Sequence, residues 1–196
     1  MCQMATWAKH SNEHVRRLSS EGCRPRLPWG MALPVFKKDP SPVLAILEQL
    51  KTDTSLYVRK SVANNLNDIS KDNPSAVIDT TRKWIGVHPD TDWILRQGCR
   101  TLIRAGNPDA MKLFGYENFT DSGRLLTAAS LSVLPTELKL GESCELKYEL
   151  DIPKGSPVHI RIEYAIDFVK SGEKKSRKLF LLSDKTVKGG THLSGV

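Results

Sequence analysis

The period of the apolar residues changes once along this chain, and that change limits the possible folds more than any other feature. Up to about residue 117, apolar positions recur every three or four residues. Val43, Leu44, Leu47 and Leu50 do so in DPSPVLAILEQLKTD, and Val58, Val62, Leu66 and Ile69 in SLYVRKSVANNLNDISKDNP. Such spacing puts one apolar stripe on a helix, and the flanking prolines mark helix boundaries. Farther on the period becomes two. CELKYEL alternates Cys144, Leu146, Tyr148 and Leu150, and VHIRIEYAIDF alternates Val158, Ile160, Ile162, Tyr164, Ile166 and Phe168 with polar residues, the pattern of half-buried strands. LLTAASLSV, ELKL and KLFLL bring the total to about five strands, separated by the turn signals LGES, IPKGSP and KSGEKKS, as in an antiparallel sandwich. The expected chain is α+β and multidomain: a helical region over 1–117 and an antiparallel β-sandwich over 118–196, with the boundary between 115 and 122.

The helical region carries an internal echo. EHVRRLSSEG, LYVRKSVANNL and WILRQGCRTLI each set an apolar residue before an arginine and a second polar or basic residue, and the marker arginines Arg16, Arg59 and Arg96 lie 43 and 37 residues apart. Periods near 40 belong to two-helix solenoid repeats of the HEAT or armadillo kind, although apolar-arginine pairs also arise by chance in helical proteins. In a repeat, equivalent positions share a face. Arg16 and Arg17, Arg59 and Lys60, and Arg96 and Arg100 would then stack into one basic stripe suited to phosphates. The net charge of +7, from 29 Lys and Arg against 22 Asp and Glu, favours the same kind of partner, as it would a merely solvated basic surface.

Several function classes are excluded by what the sequence lacks. It has no glycine-rich phosphate loop, no GxSxG and no HExxH, so the common nucleotide, hydrolase and zinc-protease signatures are missing. The four cysteines, Cys2, Cys23, Cys99 and Cys144, form no CxxC pair, which suits a reducing compartment and suggests neither zinc nor a disulfide framework. His10 and His14 stand four apart in KHSNEHV without a third ligand nearby in sequence, and read as exposed helix-start histidines. No stretch has the length and apolarity of a membrane span, and a cytoplasmic protein is expected. No metal and no cofactor is expected.

One stretch holds more chemistry than a helix end needs. SSEGCRPRLPWG places Glu21, Arg24, Arg26 and Trp29 around two prolines, which remove backbone donors and stop the helix. On local grounds Glu21 reads equally as a solvated glutamate, Trp29 as a core anchor, and Asp68 in NNLNDISKDNP as a residue satisfying backbone groups near a helix end.

HVRRLSSEGCRPRLPWG, the stretch from DPSPVLAIL to SKDNP, and RQGCRTLIRAGNPDAMKLFGY together resemble the AlkC branch of the AlkC/AlkD DNA alkylation-repair glycosylases, over about residues 6–117. The resemblance implies an α-helical HEAT-like solenoid followed by an immunoglobulin-like domain. It implies hydrolysis of the N-glycosidic bond of cationic alkylated bases such as 3-methyladenine in double-stranded DNA. Glu21 and Asp68 match the family's functional carboxylates, and Trp29 its aromatic contact to the lesion. Arg16, Arg17, Arg24, Arg26, Arg59, Lys60, Arg96 and Arg100 become candidates for gripping the backbone, about half of them expected instead to pair with acids such as Glu13, Asp53 or Asp92. Lys174, Lys175, Arg177 and Lys178, in a hairpin of the strand-rich half, are either DNA contacts or charges that discourage edge pairing. A monomer is expected. Family members begin well before this Met1 with a further functional glutamate, and an immunoglobulin-like sandwich has about seven strands, so the sequence reads as shortened at both ends. A catalytically silent HEAT module binding DNA or protein is the alternative.

Overall fold

The computed structural model describes residues 2–116 and 126–195. The chain forms two compact units, Met1–Phe114 and Gly115–Val196; the expected boundary between 117 and 118 lies outside the described residues. Among the described residues no helix is long and apolar enough to cross a membrane.

The first unit is a stack of helices: α1 (Cys2–Trp7), α2 (Glu13–Glu21), α3 (Pro34–Lys38), α4 (Ser41–Leu50), α5 (Leu56–Asp72), α6 (Pro74–Trp84), α7 (Pro89–Gly98), α8 (Arg100–Arg104) and α9 (Pro108–Leu113). Five of them carry proline at the first or second position, where its missing N–H costs nothing. The stripe read from the sequence is the core: Val43, Leu47, Leu50, Val58, Val62, Leu66 and Ile69 are fully buried, joined by Val77, Ile94 and Leu95, while Leu44 is only half-buried. The three echoing segments are α2, α5 and α7, and α5 packs between the other two. Their approach relies on small residues. A Cβ on Gly98 would sit 2.8 Å from the Leu66 Cβ, so α7 reaches α5 at a distance only glycine permits. Between α2 and α5 the seam is polar: Asn65 donates to the Ser20 carbonyl at 2.8 Å, its own Oδ1 is buried without a hydrogen-bond partner among the described residues, and the Ser61 and Ser20 hydroxyl oxygens lie 3.1 Å apart.

The echo has a structural reason. Arg16 grips both oxygens of Asp53 (2.6 and 3.0 Å) and donates to the carbonyls of His10 and Ser11. Arg59 donates to Asp90 at 3.0 Å and to the carbonyls of Asp53 and Thr54. Each arginine therefore ties the loop five and six residues before it to an aspartate that opens the following unit. The same staple is used twice.

The second unit holds β1 (Ala128–Leu134), β2 (Glu145–Asp151), β3 (Val158–Val169), β4 (Lys175–Val187) and β5 (His192–Gly195). They form two antiparallel sheets, β1-β2-β5 and β3-β4. Two strand expectations are corrected. ELKL forms no strand: it runs from a bend at Glu137 through irregular chain to a turn at Leu140, with Leu140 fully exposed and Gly141 at φ 92°. The fifth strand is instead β5, unanticipated because HLSG is short and follows two glycines, and it pairs with β2. The core between the sheets is Ile152, Val158, Ile160 and Val187 with Leu126, Ile162 and Leu193 against it. Ile166 and Phe168, expected to be half-buried, lie exposed at the other end of β3. Between them and the core opens a cleft of about 450 Å³ lined by Leu131, Tyr148, Leu150, Ile162 and Tyr164 among others.

Candidate functional site

Gly22 ends α2, and the chain from there to α3 is strapped along the carboxyl half of α5 by charge. Arg24 reaches Asp68, Arg26 reaches Asp72 at 2.9 Å, and Lys37 approaches the same Asp72 at 3.5 Å. Asp68 and Asp72 stand one helical turn apart, so the strap follows one edge of the helix. Between the anchors the chain doubles back. Arg26 and Ala32 form an isolated antiparallel bridge, and Leu33 donates to the Pro25 carbonyl at 2.9 Å.

At the tip, Gly30 donates to the Leu27 carbonyl at 3.3 Å, closing a turn with Pro28 second and Trp29 third. Trp29 has φ 58°, in a place that glycine or asparagine usually fills. Holding a bulky residue there costs of order 1–3 kcal/mol. Trp29 gains no packing in return, since it is 107% exposed beside Met31 at 86%. The core-anchor reading of Trp29 is thereby excluded. The two prolines and the bridge hold an indole out into solvent.

Arg24 is the centre of the site. It donates to Asp68 at 2.8 Å from Nε and 2.6 Å from Nη2, and from Nη1 it makes a short bond to Glu21. Glu21 also accepts from the Ser61 hydroxyl at 2.6 Å and lies 3.5 Å from Arg17; Asp68 accepts from Lys71 at 2.9 Å. The Asp68 side chain is only 5% exposed, against 23% for Glu21 and 14% for Arg24. Burial pulls the Arg24 pKa down, but Asp68 and Glu21 outweigh it and hold the guanidinium above its ordinary value. Two carboxylates from different helices therefore share one always-charged arginine, which fixes both in place.

The structure brings Glu21 and Asp68 together and moves Arg24 from the phosphate contact expected of it to the bridge between them. Arg16 and Arg59 are likewise taken up by the staples rather than arrayed as an open stripe. Arg17 donates to the Tyr57 carbonyl at 2.6 Å and lies over the Tyr57 ring at 4.0 Å. Arg96 lies 5.7 Å from the Phe114 ring centroid. Lys60 and Arg100 line a shallow pocket with Asn64, Trp93 and Gln97. Burial, and the like charges of Arg24 and Arg104, keep Arg100 below its ordinary pKa despite Asp68. In the second unit Lys174 lies in the turn after Ser171–Glu173, Lys175 begins β4, Arg177 is held by both oxygens of Asp167 at 2.8 Å, and Lys178 lies over Phe168. His10 accepts from the Asn12 backbone, and His14 packs edge-on against Tyr57.

Sequence reasoning missed Ser61, Asn64 and Trp93. A usable signal was present for the first two: Tyr57, Ser61, Asn64 and Asp68 fall at steps of four, three and four, one face of α5.

Helices α1 to α7 and this carboxylate pair lie in a segment, residues 2–102, that matches the family model described as DNA alkylation repair enzyme. The chain belongs to the DNA alkylation repair enzyme family. Residues 127–196 match the model for the C-terminal Ig-like domain of the uncharacterised protein YhaZ, and the strand-rich unit is immunoglobulin-like. A curated relative, uncharacterized protein YhaZ of Bacillus subtilis (strain 168), is 49% identical over 188 residues, which is 96% of this chain and 51% of the relative. Among solved structures, Pseudomonas fluorescens alkylpurine DNA glycosylase AlkC, bound to DNA containing an abasic site analog, is similar with a TM-score of 0.87 and 39% identity. That match covers 98% of this chain and 53% of the AlkC chain. The chain thus spans about half the length of these members of the family.

Proposed function

We propose that the chain acts as a DNA glycosylase, hydrolysing the N-glycosidic bond of cationic alkylated bases such as 3-methyladenine in duplex DNA. The observation that carries this reading is the meeting of Glu21 and Asp68 through Arg24, next to a hairpin that presents Trp29. A base with a fixed positive charge leaves readily, because departure with the bond's electron pair neutralises it. The enzyme's task is to place negative charge beside the sugar cation that develops and to hold a water for attack. Glu21, the more exposed carboxylate, faces that task directly and takes the proton as water adds to the sugar. Asp68 supports the charge from a more buried position. Trp29 offers a ring face to the cationic base, worth ~0.5–2 kcal/mol depending on how far water is excluded. Lys60, Arg100, Arg26, Lys174, Lys175 and Arg177 are the proposed backbone contacts, and the DNA bound to the Pseudomonas AlkC supports DNA as the partner.

A second reading, a catalytically silent DNA- or protein-binding module, draws on one observation. Three cations, Arg17, Arg24 and Lys71, already surround the two carboxylates. Incubation of the full chain with duplex containing 3-methyladenine decides between them. Released base that disappears in Glu21→Gln supports the glycosylase. Salt-sensitive binding without release supports a silent DNA-binding module, and neither result leaves a protein-binding scaffold.

A further inference from the structure

The repeat that duplicates the arginine staple also brings a cation and an aromatic ring together on each of two successive helix seams. On the seam between α2 and α5, Arg17 of the first helix stands over Tyr57 of the next. One repeat on, Lys60, the counterpart of Arg17, lines a pocket together with Trp93, which stands one position before Ile94, the counterpart of Tyr57. The first copy is closed, because Arg17 is also bonded to the Tyr57 carbonyl and drawn toward Glu21. The second is open. Its volume is about 360 Å³, and Trp93 remains 36% exposed at its wall.

The lining has a particular chemistry. Lys60 and Arg100 supply positive charge, Trp93 an aromatic face, and Asn64 and Gln97 amide groups. Arg100 holds the Asn64 Oδ1 at 3.2 Å and the Gln97 backbone oxygen at 2.6 Å, and the Asn64 side-chain nitrogen carries two donors. Asn64 lies one turn of α5 before Asp68, which places the pocket beside the carboxylate pair. A ring to stack on, two cations for phosphate and amides for base or sugar edges are what one nucleotide requires.

We propose that this pocket is a nucleotide subsite, taking one phosphate and its sugar or base from the bound DNA strand next to the lesion, with Trp93 as its stacking platform. It takes its ligand class from the DNA-repair reading but makes a separate claim, since it requires binding and not base release. The test is fluorescence anisotropy of the full chain with a labelled undamaged duplex across a range of salt. Trp93→Ala weakens binding about tenfold with an unchanged salt slope, while Trp93→Phe stays within about threefold of the parent. Lys60→Ala lowers the slope of log K against log salt by about 0.9. Gln97→Glu, which sets a negative charge against phosphate, weakens binding at least as much as Trp93→Ala and keeps the test valid should Trp93→Ala fold poorly. Parent-like binding by both Trp93→Ala and Gln97→Glu overturns the inference and leaves the glycosylase reading standing. Weakened binding by these variants, with no base release by the parent, removes the glycosylase reading and leaves the subsite. A parent that binds no duplex removes both.

Discussion

Replacing Arg24 with methionine tests whether the carboxylate pair is held by this one cation. The variant keeps most of the buried stem but removes the charge. Asp68, with its side chain 5% exposed, loses two charge-assisted hydrogen bonds, and Glu21 loses one. Removing one partner of a buried ion pair costs about 3–5 kcal/mol, because the remaining charge stays desolvated. Lys71 still reaches Asp68, and Ser61 and Arg17 still reach Glu21, so the lower end, ~3 kcal/mol, applies. For a helical unit of this size that lowers the melting temperature by roughly 10–15 °C. The measurement is thermal melting of the full chain followed by far-ultraviolet circular dichroism, where helices dominate. A second variant isolates the cause. Arg24→Met combined with Glu21→Gln and Asp68→Asn leaves no orphaned charge and recovers at least half the loss. A single variant that melts within about 2 °C of the parent, or a triple variant no better than the single, would falsify the account of Arg24 as the tie between the two acids.

Other consequences are open to simple measurement. Gly98→Ala destabilises the helical unit by about 1–3 kcal/mol in urea denaturation, since its Cβ meets Leu66 at 2.8 Å; an unchanged midpoint means α5 and α7 can separate freely. Burial pushes the Cys23 thiol up to about 11 and raises Cys99 as well. Cys2 and Cys144 are exposed, so two of the four cysteines react rapidly with a thiol reagent and two react only on unfolding. His192 is held above its ordinary pKa first by its hydrogen bond to Asp151 and then by the charges of Asp151 and Glu149. A folded value above the unfolded one gives stabilisation that is complete below about pH 6.5 and fades as pH rises through the folded value. Amide protection of Leu193 and Ser194, corrected for intrinsic exchange, therefore falls from mildly acidic to mildly alkaline pH. His192→Gln shows no such change.

The two regimes of this chain were legible because periodicity is a local property. A stripe at 43, 44, 47 and 50 or at 58, 62, 66 and 69 has no use but burial along a helix, and seven of the eight residues are fully buried, with Leu44 half-buried at the edge. The strand pattern was read with less success. ELKL alternates as a strand should yet forms irregular chain leading into a turn, while HLSG pairs with β2 without an advance signal, because pairing depends on a partner distant in sequence.

What the sequence by itself determined is the helical stack, the immunoglobulin-like unit after it, the end of α2 ahead of Pro25 and Pro28, and the presence of Glu21, Asp68 and Trp29 in one recognisable pattern. Tertiary structure alone decided what the charges do. An arginine in sequence is a cation with a long reach, and which acid it meets depends on how neighbouring helices pack. Packing turned Arg16 and Arg59 into staples and set Arg24 between two carboxylates. It also left Lys60 beside an open ring face where Arg17 has a closed one. The indole of Trp29 was placed by the same kind of cause: not its hydrophobicity, which would bury it, but a proline turn pinned to α5 through Arg24 and Arg26.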